Sequence, residues 1–307
     1  MAFDDMTTAL SPTGDDAPLI PVLAVVGVGL IGGSFAAALR AAGVAGRILG
    51  VGRDAVTIQR ACDLGLIDQG ASLEDALEQA DMIMLAAPVG AIAWLLERMA
   101  PMLRPETVVT DAGSTKSDIV QAARRSLGNK LSQFVPGHPV AGAEQTGPRA
   151  ARPDLYVNRN VVLTPLAETS RQALNQVTRA WQACGARVLT MDASTHDTVL
   201  ASVSHVPHFL SSVFMWQVAM AQDADLRLSL AGSGFRDFTR IAAGSPEVWR
   251  DIFMSNRTAV LAELAEVRRA LEHAEQALCD GDEQALEDFL ERAALARRLW
   301  ASRSGLE

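Results

Sequence analysis

The chain has 307 residues, 49% hydrophobic and 21% charged, a mix that excludes disorder over most of its length. At the usual domain size this length predicts two domains, or one large α/β unit with an appendage. Its 27 basic and 36 acidic residues leave a formal charge of −9 with no run of Lys or Arg, so nucleic acid is not an expected partner. Residues 1–19 are acidic and polar, with Pro12, Gly14 and Pro18, and read as a mobile tail. A strand-then-helix rhythm follows. The apolar run 22–26 ends at glycine, as buried parallel strands do, and 34–42 is an alanine-rich helix stopped by Gly43. Next come a strand over 47–51 and a helix over 55–64 stopped by Gly65. A strand over 82–86, a helix over 90–99, a strand over 107–110 and a helix over 116–127 continue the pattern. Strands at 134–135 and 161–164, a helix over 170–184 stopped by Gly185, and a strand over 187–191 complete it. This alternation predicts right-handed crossovers and a doubly wound, mainly parallel sheet.

From 194 to 303 no strand pattern is present. Leu261, Leu264, Val267, Leu271, Ala274 and Leu278 step by three or four, one apolar stripe on a helix. Gly281 breaks it, and Leu286, Phe289, Leu290, Ala293 and Leu299 mark a second helix. The expected domains are therefore 20–191 and an all-helical 192–307. The stripes over 258–279 and 283–300 are too apolar to stand alone, so a homodimer through the helical half is expected. Cys62, Cys184 and Cys279 form no CxxC pair and suggest neither a disulfide framework nor a zinc site. The first residues lack a signal-peptide pattern, and the longest apolar stretches fall short of a membrane span or contain breakers. The expected compartment is the cytoplasm, and no membrane partner is expected.

Gly27-Val28-Gly29-Leu30-Ile31-Gly32 directly follows the first strand and opens the first helix. The first glycine suits a tight turn, the second a close approach to a pyrophosphate, and the third helix-on-strand packing. N–H groups at the helix start then meet the phosphates. In this context the motif marks a Rossmann-type dinucleotide site, with Gly27, Gly29, Leu30, Ile31 and Gly32 as contacts. Pro88, beyond the 82–86 strand, joins them. At the end of the second strand stands Gly52-Arg53-Asp54, with glycine where an NAD site usually has an acid. Arg53 can pair with a 2′-phosphate, so NADP is favoured, with NAD the alternative. Asp54 reads as a helix N-cap.

Three further clusters carry candidate chemistry. Asp111-Ala112-Gly113-Ser114-Thr115-Lys116-Ser117 lies at a strand's carboxyl end, where Ser114 can donate to a substrate oxygen beside the nicotinamide. The other reading is that one of its hydroxyls caps the next helix. Pro136-Gly137-His138-Pro139-Val140-Ala141-Gly142-Ala143-Glu144 places His138 on an expected loop off a strand, and its near-neutral pKa suits removal of an alcohol proton. Gly234-Phe235-Arg236-Asp237-Phe238-Thr239-Arg240-Ile241-Ala242 precedes Trp249; an inward Arg240 offers a fork to a carboxylate. The alternative is a surface ion set of Arg236, Asp237 and Arg240. Upstream, Ser204-His205-Val206-Pro207-His208 spaces two histidines by three; without a carboxylate at ligand spacing, substrate hydrogen bonding is favoured over a metal.

Together these motifs resemble the prephenate/arogenate (cyclohexadienyl) dehydrogenase family of tyrosine biosynthesis, in the family's order from about residue 22 to residue 250. The glycine motif is shared with many dehydrogenases, and the combination of the others is specific. The resemblance implies a Rossmann domain followed by a helical dimerisation domain. It implies oxidative decarboxylation of prephenate, arogenate or both to 4-hydroxyphenylpyruvate or tyrosine, with NAD(P) as hydride acceptor. His138 would deprotonate the ring hydroxyl and Ser114 hydrogen-bond it. Arg240 would bind a carboxylate, His208 and His205 would contact substrate with Asp237 and Trp249, and Glu144 would lie near Arg240 at the entrance. The chain shows no chorismate mutase segment before the glycine motif and no ACT domain after the helices, and Gly52-Arg53 departs from the acidic NAD version. A β-hydroxyacid dehydrogenase or imine reductase is the rival enzyme reading. It usually relies on a lysine in the second domain, and residues 192–307 contain none. A non-catalytic dinucleotide-sensing protein would have no need of Ser114, His138 and Arg240 together.

Overall fold

The computed structural model describes residues 18–143 and 145–304. The expected tail over 1–19 lies outside the described residues except for Pro18 and Leu19, as does Glu144. The chain divides into a unit ending at His196 and a unit beginning at Asp197.

The first unit opens with β1 (Ile20–Val26), α1 (Leu30–Ala41), β2 (Ala45–Val51), α2 (Ala55–Asp63), β3 (Gln69–Gly70) and α3 (Leu73–Gln79). It continues with β4 (Met82–Leu85), α4 (Val89–Met99), β5 (Val108–Asp111), α5 (Ser117–Leu127) and β6 (Phe134–Val135). The six strands are all parallel, in the order β3-β2-β1-β4-β5-β6. This is the dinucleotide-binding order, with a ligand crevice where it reverses between β1 and β4. Helices cover both faces, which is why Leu23 to Val26 and Met82 to Leu85 are unbroken apolar runs and all buried. Asp54 caps α2 as expected, its carboxylate accepting from the N–H groups of Val56 and Thr57.

A second sheet joins β7 (Gly137–Pro139), β8 (Asn160–Leu163) and β9 (Arg187–Thr190), with α6 (Arg171–Ala183) before β9. The pair β7 and β8 is antiparallel, and β8 and β9 are parallel. His138 is therefore not on a loop, as its flanking Gly and Pro suggested, but inside β7 opposite Val162. Three residues are too few to show a strand pattern; β8 supplies the ladder. α1 starts four residues before the expected position because Gly32 and Gly33 are buried within it, packed too closely for side chains, rather than breaking it. The hydroxyl cluster ahead of α5 also differs from expectation. Lys116 is the N-cap and makes no side-chain capping bond, and Thr115 Oγ1 donates to Asp118 at 2.9 Å.

The helical run begins with α7 (Ala193–Leu200), a π-helical turn over Ala201–His205 and α8 (Val206–Ala219). It proceeds through α9 (Ala224–Ser229), α10 (Ser233–Thr239), a 3-10 turn over Arg240–Ala243 and α11 (Pro246–Ser255). α12 (Arg257–Asp280) and α13 (Glu283–Ser304) follow, joined by Gly281 at φ 64. Among the described residues of the second unit there is no strand. The π-turn ahead of Pro207 accommodates a residue that cannot donate a backbone bond, so the breaker does not end the helix. Ala193–Ala219 thus runs for 27 residues and holds an 18-residue stretch with a mean hydropathy of 1.2, long and apolar enough to cross a membrane by length and composition alone. Its apolar stretch is 33% buried, and its buried residues include polar His205, His208 and Ser211.

Candidate active site

The glycine turn builds the cofactor end. Gly27 has φ 96 and donates its N–H to Val51 O at 2.8 Å; a Cβ there would lie 2.4 Å from Ala86 O. The ends of β1, β2 and β4 meet at this turn. Gly29 is the N-cap of α1, and a Cβ on it would meet nothing within 4 Å. Open space thus faces the unpaired N–H groups of the helix start, the surroundings a pyrophosphate needs. Leu30 and Ile31 pack on the core, and Tyr156 OH donates to Ile31 O at 2.6 Å, latching the first turn. Pro88 is exposed at the start of α4. Gly52 and Arg53 are exposed beyond β2, and a Cβ on Gly52 would lie 2.9 Å from Ile58 Cδ1. These residues fit a dinucleotide, which Gly27, Gly29, Leu30, Ile31 and Gly32 would hold.

Ser114 is half-buried in the loop after β5, and His138 is buried on β7. His138 Nδ1 lies 2.8 Å from Nε2 of His196, a fully buried residue of α7, with the two rings at 70°. One nitrogen of each imidazole is thereby engaged, and which ring donates depends on their tautomers. Beneath them lies a buried ion pair. Asp111 Oδ2 accepts from Gly113 N–H at 2.7 Å and from the Lys116 ammonium, and Oδ1 accepts from Gly137 N–H at 3.0 Å. Lys116 also donates to Gly137 O at 2.7 Å. Burial pushes the Asp111 carboxyl up, while Lys116 and the two amides pull against it.

In the second unit Asn256 Nδ2 donates to Asp197 O at 2.7 Å and contacts His205 Nδ1 at 3.1 Å, both side chains being buried. His208 stacks on Trp249 with ring centres 3.5 Å apart and planes at 15°. Burial lowers its imidazole to about 4, so it is neutral at neutral pH. Gly244 makes room for the stack; a Cβ there would lie 2.6 Å from Trp249 Nε1. Arg240 opens the 3-10 turn instead of continuing α10, so it does not extend the helical face of Arg236, and it is exposed. Arg236 pairs with Asp237 at 3.6 Å, both exposed, as the surface reading of that cluster has it.

The structure thus ties the loop of Ser114 to the strand of His138 through one buried network, and stacks His208 on Trp249. The sequence reading passed over His196, Asn256 and the role of Lys116. A signal existed for two of them: the chain has only five histidines and two lysines, so each is worth placing. Asn256 had none.

Residues 35–190 match the family model described as "Prephenate dehydrogenase, nucleotide-binding domain", and residues 192–292 that described as "Prephenate dehydrogenase, dimerization domain". The chain is 34% identical over 276 residues to prephenate dehydrogenase of Lactococcus lactis, covering 89% of this chain and 76% of that one. It is 35% identical over 281 residues to cyclohexadienyl dehydrogenase of Zymomonas mobilis, covering 88% of this chain and 92% of the relative. The solved structure of prephenate dehydrogenase from A. aeolicus with hydroxyphenyl propionate and NAD+ matches with a TM-score of 0.85 at 34% identity, covering 91% of this chain and 97% of that one. With both halves matched in order, the chain belongs to the prephenate dehydrogenase family.

Proposed function

We propose that this dehydrogenase oxidatively decarboxylates prephenate, arogenate or both in tyrosine biosynthesis, with His138 as the base and NADP favoured over NAD. The observation that carries the assignment is the buried His138, held through Nδ1 by His196 at 2.8 Å on a strand locked to the loop of Ser114. The substrate bears a ring hydroxyl at C4 and a carboxylate at C1 of a cyclohexadiene. A bound nicotinamide dinucleotide supplies the hydride acceptor. His138, with Nδ1–H donated to His196, takes the hydroxyl proton at Nε2, and Ser114 hydrogen-bonds the same oxygen beside the nicotinamide. The ketone that forms is conjugated to C1, so carbon dioxide leaves and the ring aromatises to 4-hydroxyphenylpyruvate or tyrosine. Arg240 takes a substrate carboxylate through its planar fork. His205, neutral His208, Asp237 and Trp249 contact substrate.

The domains we assign are 20–191 for the dinucleotide and 192–307 for substrate and dimerisation. The family's dimerization model over 192–292 and the exposed Leu261, Leu271 and Leu278 of α12 support a homodimer through the helical half. The compartment we assign is the cytoplasm, where the three free thiols Cys62, Cys184 and Cys279 would stay reduced.

The test is a steady-state assay crossing both substrates with both cofactors, on wild type, Arg53→Ala and Gly52→Asp. We expect kcat/KM with NADP to equal or exceed that with NAD. Arg53→Ala should cost NADP use far more than NAD use. Gly52→Asp, once Ile58 turns aside, should reverse the order through like-charge repulsion. No turnover of either substrate would overturn the activity, and a wild type that ignores NADP would overturn the cofactor preference.

A further inference from the structure

At the ends of β5 and β6 the chain leaves the six-stranded sheet for the three-stranded one. The ladder pairs Val109 with Phe134 and Thr110 with Val135, and Pro136, which has no N–H, ends it. Beyond Pro136 side chains replace the ladder: Asp111 Oδ1 holds the N–H of Gly137 at 3.0 Å and Lys116 Nζ holds its C=O at 2.7 Å. The same carboxylate holds Gly113 N–H at 2.7 Å through Oδ2, where Lys116 also binds. Both side chains are fully buried. Ser114 lies in the short loop between the two partners, and His138 directly follows Gly137. Neither glycine has slack. A Cβ on Gly113 would lie 2.6 Å from Ile119 Cδ1 and 2.9 Å from Asp111 Oδ2, and one on Gly137 3.0 Å from Asp111 O.

An ion pair removed from water adds little net stability over an apolar pair of the same volume. What apolar side chains cannot supply is directed bonding to the peptides beside both functional residues. We propose that Asp111 and Lys116 are a positioning pair that sets Ser114 and His138 relative to each other, acting on the chemical step and not on binding. The proposal rests on the assignment of His138 as the base.

The double variant Asp111→Asn with Lys116→Met removes the charges together and leaves neither one stranded. Its expected signature is a kcat lower by about 10- to 100-fold, with KM for substrate and cofactor changed by less than about threefold. The isotope effect with substrate deuterated at C4 should rise above the wild-type value as chemistry becomes more fully limiting. Asp111→Asn alone, which keeps the shape of the site, is the second variant, read per mole of cofactor-binding enzyme. It should show the same split should the double variant fold poorly. Wild-type kcat in a folded variant, or a loss explained by the unfolded fraction, overturns the pair. His138→Asn assayed alongside keeps the two failures apart. Fast pair variants with a slow His138→Asn overturn the pair and leave the base standing, whereas a fast His138→Asn removes the base and this proposal with it.

Discussion

The two units treat polar groups and apolar surface in opposite ways. The first encloses an ion pair and two imidazoles, those of His138 and His196, within an α/β core whose strands β4, β5, β6 and β7 are wholly buried. The second has a small buried apolar cluster of Ala201, Val206 and Val260, and leaves Trp216, Met220, Leu230 and Leu271 between 66% and 78% exposed. The first therefore sets the geometry of its site from its own core. The second fixes His205 and His208 by local contacts with Asn256 and Trp249, and its apolar surface is the face the proposed dimer would cover. On the proposed assignment the base belongs to the first unit and the carboxylate contact and the dimer face to the second, so substitutions in each should fail differently.

The largest effect falls on the first unit. His138→Asn should lower kcat by about 10²–10⁴-fold, the usual loss of a general base, with cofactor KM unchanged because the phosphates face the glycine turn. A kcat within a few-fold of wild type would show that another group takes the proton. In the second unit Arg240→Ala should act on binding. A charge-assisted hydrogen bond contributes about 1.5–3 kcal/mol, so substrate KM should rise by about 10- to 100-fold while kcat is largely kept. The reverse pattern would move Arg240 into the chemical step.

The apolar surface of the second unit is broken by Leu271→Glu. Burial of a leucine is worth about 1.5–3 kcal/mol, so the dimer dissociation constant should rise by about tenfold or more, followed by light scattering on dilution. A wild type that is monomeric at micromolar concentration would remove the interface. The smallest effect is on pH dependence. His208 is held neutral in the fold, lowered from 6.5 to about 4, so the unfolded chain takes up the proton first. Its contribution to stability is complete above pH 6.5 and is lost as pH falls toward about 4. Thermal unfolding of wild type should shift down by a few degrees more over that window than that of His208→Phe, which keeps a ring against Trp249. Equal shifts would place the titration elsewhere.

Strands with local apolar runs were readable almost to the residue: 134–135 was expected and Phe134–Val135 is found, and 187–191 was expected where Arg187–Thr190 is found. Elements whose existence depends on distant partners were not. β7 is three residues paired across the chain to β8, and β3 is two residues, too short for any periodicity. α3 carried a signal that went unused, for Ser72 accepts the N–H of Asp75 as an N-cap should. The same division runs through the site. Ser114 and His138 stand in motifs whose chemistry can be read from residue type, but that Lys116 is buried against Gly137, or that His196 reaches His138 from 58 residues away, is a property of the packed chain. Local composition carries no trace of either contact.

The burial of Lys116 has a consequence for the surface. Of the chain's 27 basic residues only Lys116 and Lys130 are lysines. Lys130 is half-buried and donates to the carbonyls of Ala100 at 2.6 Å and Pro101 at 3.4 Å. Apart from the α-amine, acylating reagents and enzymes that modify ε-amines meet one amine sealed in the core and one tied down on backbone oxygens. The cationic face offered to solvent is guanidinium, whose charge no pH compatible with the fold removes and whose geometry favours flat, forked anions over point charges. Amine-directed coupling to a support is therefore a poor route to immobilising this enzyme, while exposed Cys279 offers a thiol handle on α12.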